Sequence, residues 1–258
     1  VDQTPDVLVP DEIEATVDKF PEKPCIIFEG ESWTYKAFEA RANRLAHWAL
    51  GQGLKQGDIV ALVLENCPDY PAVWFGLSKV GIEIALVNCN LEDVGLAHCI
   101  NIVDAKAIIA SGSQAKNTKK MLSKLDAEVE LWDFDGKFGH DLEAALGNSL
   151  STRPDRSYRD NLTIHDVCAY IYTSGTTGLP KAAKLVHSRM RRTFRMPISL
   201  AKISPDDRIY IVLPLYLITG GGLAIGSALY NGATTVLKRR FSASDFWTYV
   251  SEYKATIS

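Results

Sequence analysis

Hydrophobic positions come in short runs separated by polar, helix-like stretches. Residues 59–64 are apolar throughout, as expected of a strand covered on both faces. Further runs at 25–28, 82–87, 107–110, 129–132, 167–172, 182–187, 209–213 and 233–237 predict more strands. Between them the pattern predicts helices at 11–19, 34–50, 70–79, 91–101, 115–125, 188–201, 222–230 and 243–253. Asp11 and Thr34 are placed to cap the first two, and Phe38, Ala42, Leu45 and Ala49 lie on one stripe of the second. Residues 29–31 read as a turn, and 254–258 as the first residues of another strand.

Strands alternating with helices imply right-handed βαβ units, hence an α/β fold with mostly parallel sheets flanked by helices. Residues 133–161 break the alternation: they are polar and contain Gly136, Gly139, Gly147 and Pro154, so apart from a helical turn at 141–146 they read as a connection. This places a boundary near residue 160, between a first α/β subdomain (1–160) and the start of a second (161–258), truncated at its end.

Composition narrows this only a little. With 258 residues and a net charge of −3, the chain has no basic field, so nucleic acid is not an expected partner. Its five cysteines, Cys25, Cys67, Cys89, Cys99 and Cys168, contain no C-x-x-C pair and read as free thiols in a reducing compartment. Residues 1–20 are acidic and lack the apolar core of a signal peptide. Residues 209–237 carry no charged side chain and are long enough to span a bilayer. Pro214, Gly220, Gly221, Gly222, Gly226, Asn231 and Gly232 punctuate them into a strand, a loop, a helix and a turn instead.

The chemistry gathers at Tyr170-Ile171-Tyr172-Thr173-Ser174-Gly175-Thr176-Thr177-Gly178-Leu179-Pro180-Lys181. A buried strand empties here into hydroxyls and glycines and closes on a proline and a lysine. Glycines let backbone N–H groups approach an anion, hydroxyls donate further hydrogen bonds, and Lys181 adds positive charge. An ordinary P-loop fails on spacing: counting from Gly175, the second glycine position holds Pro180, and Ala182 follows Lys181 where a magnesium-binding hydroxyl belongs. A structural Gly/Thr-rich turn and a different phosphate loop both remain open on the residues alone.

The nine residues Thr173 to Lys181 closely resemble the phosphate-loop signature of the adenylate-forming enzymes. Trp33-Thr34-Tyr35 resembles that superfamily's early "(T/W)TY" element, and Leu213-Pro214-Leu215-Tyr216 its "PL(Y/F)H" segment. Val87-Asn88-Cys89-Asn90-Leu91 with His98-Cys99-Ile100, and Arg240-Phe241-Ser242-Ala243-Ser244-Asp245-Phe246-Trp247, are similar to stretches of the very long-chain acyl-CoA synthetases, also called fatty acid transport proteins. The resemblance runs from about residue 21 to the end and is weakest in the middle connection.

The resemblance implies the large N-terminal domain of such an enzyme, in incomplete form. It also implies a ligase that joins a long or very long-chain fatty acid to ATP with Mg²⁺, and then to coenzyme A. Thr173, Ser174, Thr176 and Thr177 would donate hydroxyls to phosphate, Gly175 and Gly178 backbone N–H groups, and Lys181 charge. Tyr216 and Leu217 would line the acid pocket. The family usually has His where Leu217 stands, which opens two alternatives: a non-catalytic fatty-acid binding or transport-associated protein, or a ligase for another acid. The family's later "Y-G-x-T-E" and "T-G-D" segments and its late lysine do not occur in these residues, so the segment alone is expected to be inactive. Association with an endoplasmic reticulum, peroxisomal or plasma membrane is a further expectation from the family.

The other conspicuous side chains have plainer readings. His47, His98, His140, His165 and His187 show no metal-ligand spacing and read as surface or packing residues. Arg189, Arg191, Arg192 and Arg195 read as a solvated helix face, with an acidic lipid or coenzyme A phosphate as the alternative. Trp33, Trp48, Trp74, Trp132 and Trp247 read as core or subdomain-contact residues.

Overall fold

The computed structural model describes residues 6–173 and 178–258. The chain runs α1 (Val9–Lys19), β1 (Pro24–Phe28), β2 (Glu31–Thr34), α2 (Tyr35–Gly51), β3 (Ile59–Val63), α3 (Asp69–Ser78), β4 (Glu83–Leu86), α4 (Asp93–Asn101), β5 (Ala107–Ala110), α5 (Gly112–Met121), β6 (Glu130–Asp133), β7 (His140–Asp141) and α6 (Leu142–Gly147). It continues through β8 (Val167–Thr173), β9 (Lys181–Val186), α7 (His187–Ala201), β10 (Arg208–Ile211), a π-helical stretch (Ile218–Gly226), α8 (Ser227–Asn231), β11 (Thr234–Leu237) and α9 (Phe246–Glu252).

The strands form two sheets, in the orders β7-β6-β5-β3-β4-β8-β9 and β10-β11-β1-β2. All pairings in the first are parallel except β8 with β9, and all in the second except β1 with β2. In the larger sheet Val60, Leu62, Ile84, Leu86 and Ile109 face one core, shared with α1, α2, α3, α7 and the smaller sheet. Ala61, Val63, Ala85, Ile108 and Ala110 face the second, under α4 and α5. Two covered faces are why these strands read as unbroken apolar runs.

Several expectations change. The sheets do not divide at residue 160: β8 and β9 complete the sheet built by the first segment, and β1 pairs with β11. In residues 133–161 the helical turn expected at 141–146 is present as α6, and the remainder is more than a connection. It holds β7 and a 3₁₀ turn whose Arg159 is buried. Its guanidinium donates to Asp11 (2.8 Å), Glu14 (2.6 Å) and the Lys79 carbonyl (2.8 Å). Asp11 lies inside α1, where its carboxylate accepts the Leu8 N–H. Thr34 does cap α2, accepting from Ala37 N at 3.1 Å. The turn at 29–31 is the tip of a hairpin, so β2 follows where only a turn was expected.

Arg191 and Arg195 are not simply solvated, because each donates to Glu12 of α1, at 2.7 and 2.6 Å. Trp48, Trp74 and Trp132 are core residues, but Trp247 is 76% exposed. Its neighbour Phe246 takes the inward position on α9, 5.6 Å from the Tyr210 ring. The uncharged stretch 209–237 forms β10, the π-helical stretch, α8 and β11, and no described helix is long and apolar enough to cross a membrane. At the chain end, Ile257 pairs in parallel with Ile209.

Candidate functional site

The site lies at the carboxyl ends of β4 and β8, where an open α/β sheet places its ligands. Parallel pairing aligns Tyr170 with Ala85 and Ile171 with Leu86. Antiparallel pairing then sets Tyr172 opposite Ala182 and Thr173 opposite Lys181. The phosphate-loop candidate is therefore a hairpin whose base holds Thr173 and Lys181 side by side. Ser174, Gly175, Thr176 and Thr177 lie outside the described residues. Gly178 has φ +97, a left-handed conformation that L side chains rarely adopt. Thr173, Gly178, Leu179 and Lys181 are exposed, and Pro180 is half-buried.

The three residues before the loop have structural partners. Tyr170 donates its hydroxyl to Glu83 Oε2 (2.8 Å), and burial together with that carboxylate pushes the phenol well above its usual range. Burial likewise raises the Glu83 carboxyl. Tyr172 donates to the Cys99 carbonyl at 2.6 Å, and burial raises this phenol too. Ile171 is half-buried against the inter-sheet core.

A cavity of about 190 Å³ joins the hairpin base to the segment after β10. Its walls include Leu86, Asn88, Leu91, Tyr172, Thr173, Pro180, Tyr216 and Leu217. Thus Thr173 and Pro180 of the loop do meet Tyr216 and Leu217. A larger cavity of about 290 Å³ lies on the other side of Tyr216, with Glu65, Cys89, Asn90, Arg239 and Arg240 in its wall. Burial raises the Tyr216 phenol, whose oxygen faces Asn90 Nδ2 at 3.5 Å. Leu217, at 39% exposure, brings only an isobutyl group to its cavity.

Asn66 supports this wall and carried no motif that would have singled it out. Its buried amide accepts from Leu215 N (2.9 Å) and donates to the Leu213 and Lys238 carbonyls, both at 3.2 Å. One side chain thereby ties the end of β3 to the Tyr216 segment and to the residue after β11. Gly220 and Gly221 let the π-helical stretch close over the same segment. A Cβ at either would come within 2.3 Å of the Pro214 or Leu215 carbonyl oxygen.

Among the described residues no group of three His, Cys, Asp or Glu side chains could hold a metal ion. The five cysteines are free, and burial raises Cys67 to about 12 and Cys89 and Cys99 to about 11, so none is a ready thiolate. His187 is buried as a packing residue: its Nδ1 accepts the Val9 N–H at 3.3 Å.

The profile of the AMP-binding enzyme family matches residues 13–258. The chain is 38% identical over 258 residues to long-chain fatty acid transport protein 6 of Mus musculus, covering 95% of this chain and 41% of that protein. The chain thus spans about two fifths of the length of that relative. Among solved structures, a long-chain-fatty-acid-CoA ligase (FadD1) from Archaeoglobus fulgidus superposes with a TM-score of 0.86 at 21% identity, covering 98% of this chain and 51% of that one. The anthranilate CoA ligase AuaEII, solved in complex with anthranoyl-AMP, gives a TM-score of 0.88 at 19% identity, over 99% of this chain and 50% of that one. At these identities the likeness shows the fold.

Proposed function

The chain belongs to the AMP-binding enzyme family, and on that premise we propose that it supplies the nucleotide and acid-binding walls of an ATP-dependent acyl-CoA ligase for long or very long-chain fatty acids. The observation that carries this reading is the hairpin register, which sets Lys181 opposite Thr173, itself in the wall of the cavity that Tyr216 and Leu217 share.

The first step is a charge problem. A fatty-acid carboxylate oxygen attacks the α-phosphorus of ATP, and the bond to pyrophosphate breaks, giving acyl-adenylate. Thr173, Ser174, Thr176 and Thr177 donate hydroxyls and Gly175 and Gly178 backbone N–H groups to the β- and γ-phosphates, while Lys181 offsets charge on the leaving pyrophosphate. No protein nucleophile is needed, which agrees with the high pKa of the nearby thiols. Coenzyme A sulfur then attacks the acyl carbon and AMP leaves. Tyr170, Ile171, Tyr172, Leu179 and Pro180 shape and hold the loop. Tyr216 and Leu217 form the acid wall, and an apolar Leu217 suits an alkyl chain better than a second polar group. A membrane surface is the natural place to meet so apolar an acid.

Leu217 also favours a second reading, a protein that binds the fatty acid without activating it. A thioester assay with ATP, coenzyme A and fatty acids of increasing chain length separates the two. Acyl-CoA formation that increases with chain length supports the ligase. Retained fatty-acid binding with no thioester supports the binding protein and rejects the ligase.

A further inference from the structure

We propose that His98, with the carbonyl of its neighbour Cys99, is a positioning residue for the nucleotide loop, bracing both limbs of the hairpin from one turn of α4. On the outgoing limb, the Tyr172 hydroxyl donates to the Cys99 carbonyl at 2.6 Å. On the returning limb, His98 Nε2 lies 2.9 Å from the Pro180 carbonyl oxygen. A carbonyl can only accept, so Nε2 carries the hydrogen and the imidazole donates.

The turn making these contacts is the last of a nine-residue helix. The carbonyls of His98, Ile100 and Asn101 accept the backbone N–H groups of Ile102, Ala105 and Asp104, and the Cys99 carbonyl is the one taken by Tyr172. The brace is therefore an end of α4 completed by the loop's own stem. Tyr172 and Pro180 both line the cavity beside Thr173, so the two anchored points flank the hairpin base. Holding them fixed sets the positions of Thr173 and Lys181 before a polyanion arrives. Cys99 contributes its backbone only, and its thiol is buried. None of this touches the phosphates, so His98 acts through Pro180 and Lys181.

The role rests on the ligase reading, and two measurements on the full-length protein keep the two claims apart. His98→Phe keeps a ring and loses the donor, whereas His98→Gln keeps an N–H donor on a flexible chain. One neutral hydrogen bond corresponds to a roughly fivefold rise in the KM for ATP in His98→Phe. The fatty-acid KM should stay within about twofold, and His98→Gln should recover most of the ATP affinity. Amide hydrogen exchange over residues 178–186, read without nucleotide, should accelerate in His98→Phe and return towards wild type in His98→Gln. An unchanged ATP KM with unchanged exchange overturns the brace, as do equal effects of the two variants or equal rises in both KM values. If the wild-type protein uses no ATP, the ligase reading fails, and the exchange result decides the brace alone.

Discussion

Replacing Asn66 with Ala removes an acceptor from Leu215 N and a donor from the Leu213 and Lys238 carbonyls. Asn66 is 8% exposed and Leu215 is fully buried, so the Leu215 N–H has no route to bulk water. Leaving that N–H unpaired costs roughly 1–3 kcal/mol, and each of the other bonds contributes about 1 kcal/mol or less if water from the adjoining cavity takes over. The expected loss is about 3 kcal/mol. In urea, with a slope of about 3 kcal/mol per molar, the unfolding midpoint falls by about 1 M. Because the lost bonds hold the Tyr216 segment, the KM for the acid should rise more than the KM for ATP. Asn66→Asp sharpens the test. Its carboxylate still accepts from Leu215 N but faces two carbonyl oxygens, so it should be destabilising at neutral pH and recover on acidification, when a protonated carboxyl can donate. A midpoint shift below about 0.2 M for Asn66→Ala would refute the reasoning.

Three further outcomes are expected. Burial lowers the His187 pKa to about 4, from 6.5, and the Val9 N–H requires an unprotonated Nδ1. The unfolded chain therefore binds the extra proton first. Stability should be level above pH 6.5 and fall as pH drops towards 4, by about 3 kcal/mol from this group. Urea titrations of His187→Gln across that range should show a shallower slope, and an unchanged slope would rule the group out. Arg159→Met strips a buried cation from Asp11 and Glu14, which keep Arg156 and Lys79 as partners. Unfolding free energy should drop by about 3 kcal/mol, the lower end for a broken buried pair, and a neutral result would mean the cluster reorganises. Trp247→Ser should change stability by less than about 0.5 kcal/mol despite the size of the side chain, because the indole is largely in water. A loss above 2 kcal/mol in thermal unfolding would show that it is covered.

The parts legible in the sequence are those whose signal is local. The runs at 59–64, 82–87 and 107–110 read as buried strands because alternate residues enter two different cores. The candidate phosphate loop stands out because its hydroxyls, glycines and lysine are contiguous. What pairing distant segments decides was not legible. Nothing in 24–28 announces that it will lie beside 234–237, and so the smaller sheet draws strands from both ends of the chain. The same holds at the site. His98 reaches a partner 82 residues away and Asn66 one 147 residues away, and neither has a spacing that reports the contact. Arg191 and Arg195 of α7 read as solvated because their partner, Glu12, lies in the first helix. The core reading of Trp247 failed for the opposite reason: its residue type suggests burial, but the adjacent Phe246 takes the inward position.

Fatty-acid-dependent exchange of labelled pyrophosphate into ATP tests the central claim most directly, because it requires reversible acyl-adenylate formation and no coenzyme A. In the full-length protein the exchange should appear with a long-chain fatty acid, vanish without it, and fall at least about tenfold in Lys181→Ala, where one charge on the leaving pyrophosphate is no longer offset. Exchange that persists undiminished in Lys181→Ala, or no exchange in a wild-type protein that still binds the fatty acid, would contradict the assignment of this hairpin to ATP-dependent activation.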